Sequence, residues 1–188
     1  MLAFFLLTGV REWALAQDAY KVISTQEDFE PVIESARQLL KTYYAIVLRL
    51  PVKGSLVTGA ELDALYGGAY RGAEVGLYRY RSSLHEIYVM KDMSKDECTA
   101  TTCHELVHAW QKENCPADQD ILVSEGLARW IEYKILDKTG AYTLARGLFE
   151  HADPVYGVGF KTMLEWEDKL GEMGVVLKAK RVKTLQDE

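Results

Sequence analysis

Ser94-Lys95-Asp96-Glu97-Cys98-Thr99-Ala100-Thr101-Thr102-Cys103-His104-Glu105-Leu106-Val107-His108-Ala109-Trp110-Gln111-Lys112-Glu113 decides how the rest of the chain is read. Ser94 and Glu97 have the spacing of a capping box, so a helix is expected to open there and run to about Glu113. Inside it, His104-Glu105-Leu106-Val107-His108 is an H-E-x-x-H motif. Four-residue spacing puts both imidazoles on one helix face, one turn apart, where both reach a single zinc ion. Glu105 lies about 100° around the helix from His104, within reach of a water held at such an ion. The motif therefore nominates His104 and His108 as metal ligands and Glu105 as a general base.

A catalytic zinc site keeps three protein ligands and leaves one position for water. The metzincin extension would need Gly at 111 and His at 114, and the chain has Gln111 and Asn114, which excludes that subclass. Glu113 falls about 180° from His104 on the helical wheel, on the wrong side. A second helix is expected from about Gln119 to Lys138, after Pro116 and before Gly140, and it offers Glu125 and, two turns on, Glu132. Running back antiparallel after the Pro116 turn, it could bring Glu125 beside the two histidines, with Gly126 allowing the two helices to approach closely.

Outward from this pair, the chain reads as one domain over residues 1–188. Thr25 and Asp28 open an earlier helix, with apolar residues recurring at Phe29, Val32, Ile33, Ala36, Leu40, Tyr43 and Val47. Thr58 and Glu61 cap a short helix through Leu65. Val75 to Arg81 and Leu84 to Met90 read as a hairpin about the turn Ser82-Ser83. Ala141 to Leu177 reads as two or three helical pieces. The expected class is α+β, a mostly helical, zincin-like peptidase domain with a small β-sheet.

Composition bounds the function. With 48% apolar and 27% charged residues the chain can bury a core, which excludes global disorder. A net charge of -6 argues against a nucleic-acid partner. The basic cluster Lys178, Lys180, Arg181 and Lys183 reads as a solvated face. Cys98, Cys103 and Cys115 form no C-x-x-C pair and read as free, mostly buried thiols. Trp110 and Trp130 read as core. Leu2 to Val10 is apolar and Ala14-Leu15-Ala16 has the form of a cleavage site, but no basic region precedes it. Residues 1–16 fit a cleaved signal, a start placed too far upstream, or a packed first helix, and the stretch is too short for stable membrane insertion. Cytoplasmic and exported locations both remain open.

Cys103-His104-Glu105-Leu106-Val107-His108-Ala109-Trp110, then Glu125-Gly126, then Glu150-His151 with Pro154-Val155-Tyr156-Gly157-Val158-Gly159-Phe160 form an ordered set. This set resembles the LIM-domain metallopeptidases that limit organ size in plants, the "DA-one" family, and their bacterial relatives, over about residues 84–185. The resemblance implies one Zn2+ per chain held by His104, His108 and Glu125, and a peptide or protein substrate. It also implies His151 and Tyr156 as catalytic candidates for oxyanion stabilisation, although a capped helix end and a packed aromatic account for them equally well. By analogy with zincins, the strand Leu84 to Met90 before the zinc helix is the edge strand that pairs with extended substrate. The chain has no LIM fingers and no ubiquitin-interacting helices, so ubiquitin regulation and plant substrates do not carry over. The competing readings are a catalytically idle, zinc-stabilised binding module and a helical domain without metal.

Overall fold

The Thr25 hydroxyl accepts the Asp28 backbone N–H and starts the first long helix, α1 (Gln26–Tyr44). It ends at Ala45, whose left-handed backbone (φ 53°) lets its N–H reach the carbonyls of Leu40 and Lys41. That reversal corrects the expected apolar stripe. Phe29, Val32, Ile33, Ala36 and Leu40 are buried as expected, but the helix stops before the stripe does. Tyr44 and Ile46 turn into the core, while Tyr43 and Val47 are exposed. The computed structural model describes residues 21–68, 75–150 and 154–187; residues 1–16, with their cleavage-like stretch, lie outside that set.

The expected hairpin forms from β3 (Gly76–Arg81) and β4 (Leu84–Met90). Ser82 and Ser83 both take positive φ (49° and 62°), the two-residue turn whose twist matches antiparallel strands. A further strand, β2 (Val52–Val57), pairs in parallel with β4, so the sheet order is β2-β4-β3. Leu84 to Met90 is therefore the central strand. The expectation that it forms the substrate-pairing edge is corrected, because β4 spends both its sides on β2 and β3. The short strands β1 (Val22–Ile23) and β5 (Met93–Ser94) form a second, antiparallel pair. Between β2 and β3 the predicted capping box of Thr58 and Glu61 opens α2 (Gly59–Leu65).

One face of the three-stranded sheet is covered by helices. Gly54 of β2 pairs with Ile87, and Gly76 of β3 pairs with Val89, so both glycines share the buried face. A methyl at Gly54 would stand 3.2 Å from Phe29 of α1. At Gly76 it would press on Glu105 and stand 2.9 Å from Thr101 of α3 (Lys95–Asn114). Both glycines thus set how closely a helix lies on the sheet.

Behind α3 come α4 (Ile121–Thr139), α5 (Tyr142–Glu150) and α6 (Pro154–Ala179). Asp120 caps the start of α4, Gly140 (φ 85°) ends it, and Gly171 (φ 69°) breaks α6 into the expected pieces. The main core gathers Leu40 and Tyr44 of α1, Leu106 and Trp110 of α3, Leu127, Trp130 and Ile131 of α4, and Phe160 and Met163 of α6. Trp110 and Trp130 are core residues, as read from sequence. Gly126 corrects its expected role. A methyl there would stand 2.8 Å from the Cα of Gly159, so Gly126 brings α4 against α6 and not against α3. It follows Glu125 by one residue, about 100° around the helix, and so faces a different neighbour. The described residues form an α+β structure of six helices and two small sheets, with none of its helices long and apolar enough to cross a membrane. The three cysteines are free: Cys98 and Cys103 buried, Cys115 half-buried.

Candidate metal centre

The side chains of Ser94 and Glu97 each bond the other's backbone N–H and fix the start of α3, ten residues before His104. A regular helix from that cap stacks His104 and His108 on one face, with ring centres 4.9 Å apart. α4 packs on α3 and brings Glu125 to them. Glu125 Oε2 lies 3.4 Å from Nε2 of His104 and 3.4 Å from Nε2 of His108.

That separation carries information. It exceeds a good charged hydrogen bond, and the Glu125 Oε2 atom is buried without any hydrogen-bond partner. A buried carboxylate oxygen left in this state is costly unless something else meets it. Donors about 2.05 Å from a central ion in tetrahedral geometry stand roughly 3.3 Å apart, close to what is seen. One ligand atom each from His104, His108 and Glu125 lies within 4.8 Å of the others, and the group could hold a metal ion.

The outer partners point the same way. His104 Nδ1 lies 3.2 Å from Glu132 Oε2, which also accepts from Arg129 Nη1 at 3.0 Å. His108 Nδ1 lies 2.9 Å from Gln111 Oε1. Both partners are oxygen acceptors, so with a metal bound each histidine would keep its proton on Nδ1 and direct an Nε2 lone pair at the centre. Burial opposes charge on His104, yet the neighbouring carboxylates of Glu125 and Glu132 prevail and lift its metal-free pKa to about 10. Burial likewise resists ionisation of Glu125, but the two histidines outweigh it and hold its carboxyl far below the usual range. Glu105 differs: burial dominates there and pushes its pKa up.

The six candidates divide clearly. His104, His108 and Glu125 come together at this centre, and Glu105, buried one residue after His104, is close enough to feel their charges. His151 lies outside the described residues, and Tyr156 contributes only its backbone, in the first turn of α6, its side chain being outside them too. Glu113, set aside by its angle, holds the chain elsewhere. It accepts the backbone N–H groups of Arg49 and Leu50, each at 2.9 Å, and lies 3.0 Å from His85 Nε2. His85 in turn meets the hydroxyl of Tyr78, whose ring lies 6.2 Å from that of His108.

Burial works against the Glu113 charge, but these donors prevail and hold its pKa down at about 2. A depressed folded-state pKa stabilises the fold above the ordinary carboxyl value near 4.5, and that contribution fades as pH falls toward about 2. Its size is roughly 3 kcal/mol. Denaturant unfolding in a chelator should show Glu113→Gln destabilised by an amount of this order at neutral pH. The gap from the parent should narrow as the pH drops from about 5 to about 3. A gap that stays constant with pH means that the Glu113 charge is not the source.

No family model, curated protein or solved structure matches this chain. The resemblance read from the sequence therefore rests on the residues quoted for it. The H-E-x-x-H helix with Glu125 from the next helix is compatible with a zincin-type metal site.

Proposed function

We propose that this chain is a zinc-dependent peptidase of the gluzincin type. The observation that carries the reading is the buried Glu125 Oε2, without a hydrogen bond and 3.4 Å from the Nε2 atoms of both histidines, on either side of the buried Glu105 in the motif. His104, His108 and Glu125 would hold the ion. When bound, zinc supplies a Lewis acid that polarises a carbonyl and makes water acidic near neutral pH.

The chain's own residues do the rest. Glu105 takes a proton from the attacking water and delivers it to the departing amide nitrogen. Its raised pKa suits a group that must accept a proton and then release it. Glu132 and Gln111 keep the imidazoles turned toward the centre. β3 is the sheet's outer strand on this side, running over Glu105 at Gly76, and extended substrate pairs along it rather than along β4. His151 and Tyr156 remain the proposed donors to the oxyanion.

Purified protein should contain about one zinc per chain and cleave members of a quenched-fluorescence peptide library, with both properties lost to a chelator and restored by zinc. Stoichiometric zinc without cleavage of any peptide replaces this reading with the metal-stabilised binding module. Absence of tightly bound metal leaves a helical domain without a metal function.

A further inference from the structure

The two histidines of the centre are supported in different ways. His104 is backed by the Glu132 carboxylate, which lies within the same helix as its own partner Arg129. His108 is backed by the neutral amide of Gln111, which is buried. That amide has a second bond. Its Nε2 donates to the backbone carbonyl of Ser124 at 2.9 Å, in the first turn of α4 and one residue before Glu125. Gln111 thus joins the imidazole of one ligand to the backbone that carries another, across the gap between α3 and α4. Its carbonyl oxygen must face His108 and its NH2 must face Ser124, so neither bond can form with the amide reversed.

We infer that Gln111 is a positioning residue that fixes the separation of His108 and Glu125 and thereby selects a tetrahedral ion over an octahedral one. The inference rests on the metal centre proposed above. The 3.4 Å between His108 Nε2 and Glu125 Oε2 suits tetrahedral bonds. Octahedral ions with bonds of about 2.1 Å ask neighbouring donors to close to roughly 3.0 Å. A strut between the two helices resists that contraction. Glu132 also reaches from α4 to α3, but it meets only the imidazole of His104, side chain to side chain and two turns beyond Glu125, so the backbone beside Glu125 is tied by Gln111.

Two variants separate the strut from simple support of His108. Gln111→Glu keeps an oxygen for His108 Nδ1 but, ionised, loses the donor to Ser124. Gln111→Met keeps the approximate volume and loses both bonds. Zinc and nickel affinities are measured by competition with a chelator at about pH 8, where a carboxyl is normally ionised. Unfolding of the metal-free proteins is followed alongside. The cobalt-loaded proteins report coordination number by the intensity of their visible absorption, strong for tetrahedral and weak for octahedral sites. Both variants should lose about tenfold in the zinc-to-nickel affinity ratio and much of the cobalt intensity, the scale of an outer-shell change.

If Gln111→Glu matches the parent while Gln111→Met does not, Gln111 only orients His108 and the strut is refuted. Parental ratios and spectra in both variants refute it as well. Should Gln111→Met fail to fold, the same two readouts on Gln111→Glu decide. A parent that binds no metal removes the proposed centre and this inference together, whereas a parent that binds and unchanged variants remove this inference alone.

Discussion

Glu105→Gln should retain about one zinc per chain and lose peptide hydrolysis by roughly 10²–10⁴-fold, the usual worth of a general base. The amide is nearly isosteric with the carboxyl and fits the same buried space beside Gly76 and Thr101. It cannot accept the water's proton, and the three proposed ligands are untouched. Burial already favours the uncharged form of Glu105, so a neutral amide should cost the fold little. Zinc content, thermal unfolding and cleavage rate measured on one preparation test all three statements. Cleavage at the parental rate would refute Glu105 as the general base and separate the activity from this motif.

His108→Ala should abolish stoichiometric zinc altogether. The substitution removes one of three donors and leaves Gln111 Oε1 without its partner, so the remaining pair of His104 and Glu125 is both short of a ligand and less constrained. Glu125→Gln should also lose metal, by more than the roughly 10–100-fold that follows removal of an outer-shell partner. A neutral amide is a poor zinc ligand beside a carboxylate. It also brings an NH2 group that can hydrogen-bond a histidine Nε2 and occupy the space directly. The contrast with Glu105→Gln is the informative part: two Glu-to-Gln changes, one sparing the metal and one removing it. A His108→Ala protein that keeps one tightly bound zinc would place the site elsewhere.

Much of the centre could be read from the sequence because its geometry is local. His104, Glu105 and His108 are tied by helical spacing alone, and the Ser94–Glu97 cap fixes that helix in phase. Glu125 was reachable because a short connection at Pro116 leaves the next helix close at hand. What the sequence concealed was non-local. β2 pairs in parallel with a strand some thirty residues later, and Lys53, Gly54 and Ser55 leave it no apolar run, so no local pattern announces it. Without β2, Leu84 to Met90 looks like an edge. Glu132 did show a signal, standing two turns beyond Glu125 on a similar face, but spacing alone does not separate a ligand from the support of a ligand. Gln111 figured only as a mismatch to another subclass. Its place three residues after His108 puts the two side chains in contact on one helix face, which is the clue that was there.

The meeting of Gly126 and Gly159 bears on how this sequence can drift. A methyl at either position presses on the other's backbone, at 2.8 Å from one side and 2.9 Å from the other. Most crowded contacts can be relieved by shrinking the opposite residue, but here each residue is already the smallest available. No compensating substitution exists within the pair. Any replacement must be absorbed by moving α4 away from α6, and α4 carries Glu125 one residue from the contact. Thirty-three positions apart in the chain, the two glycines are coupled by contact, and a change at either would shift the segment that carries Glu125.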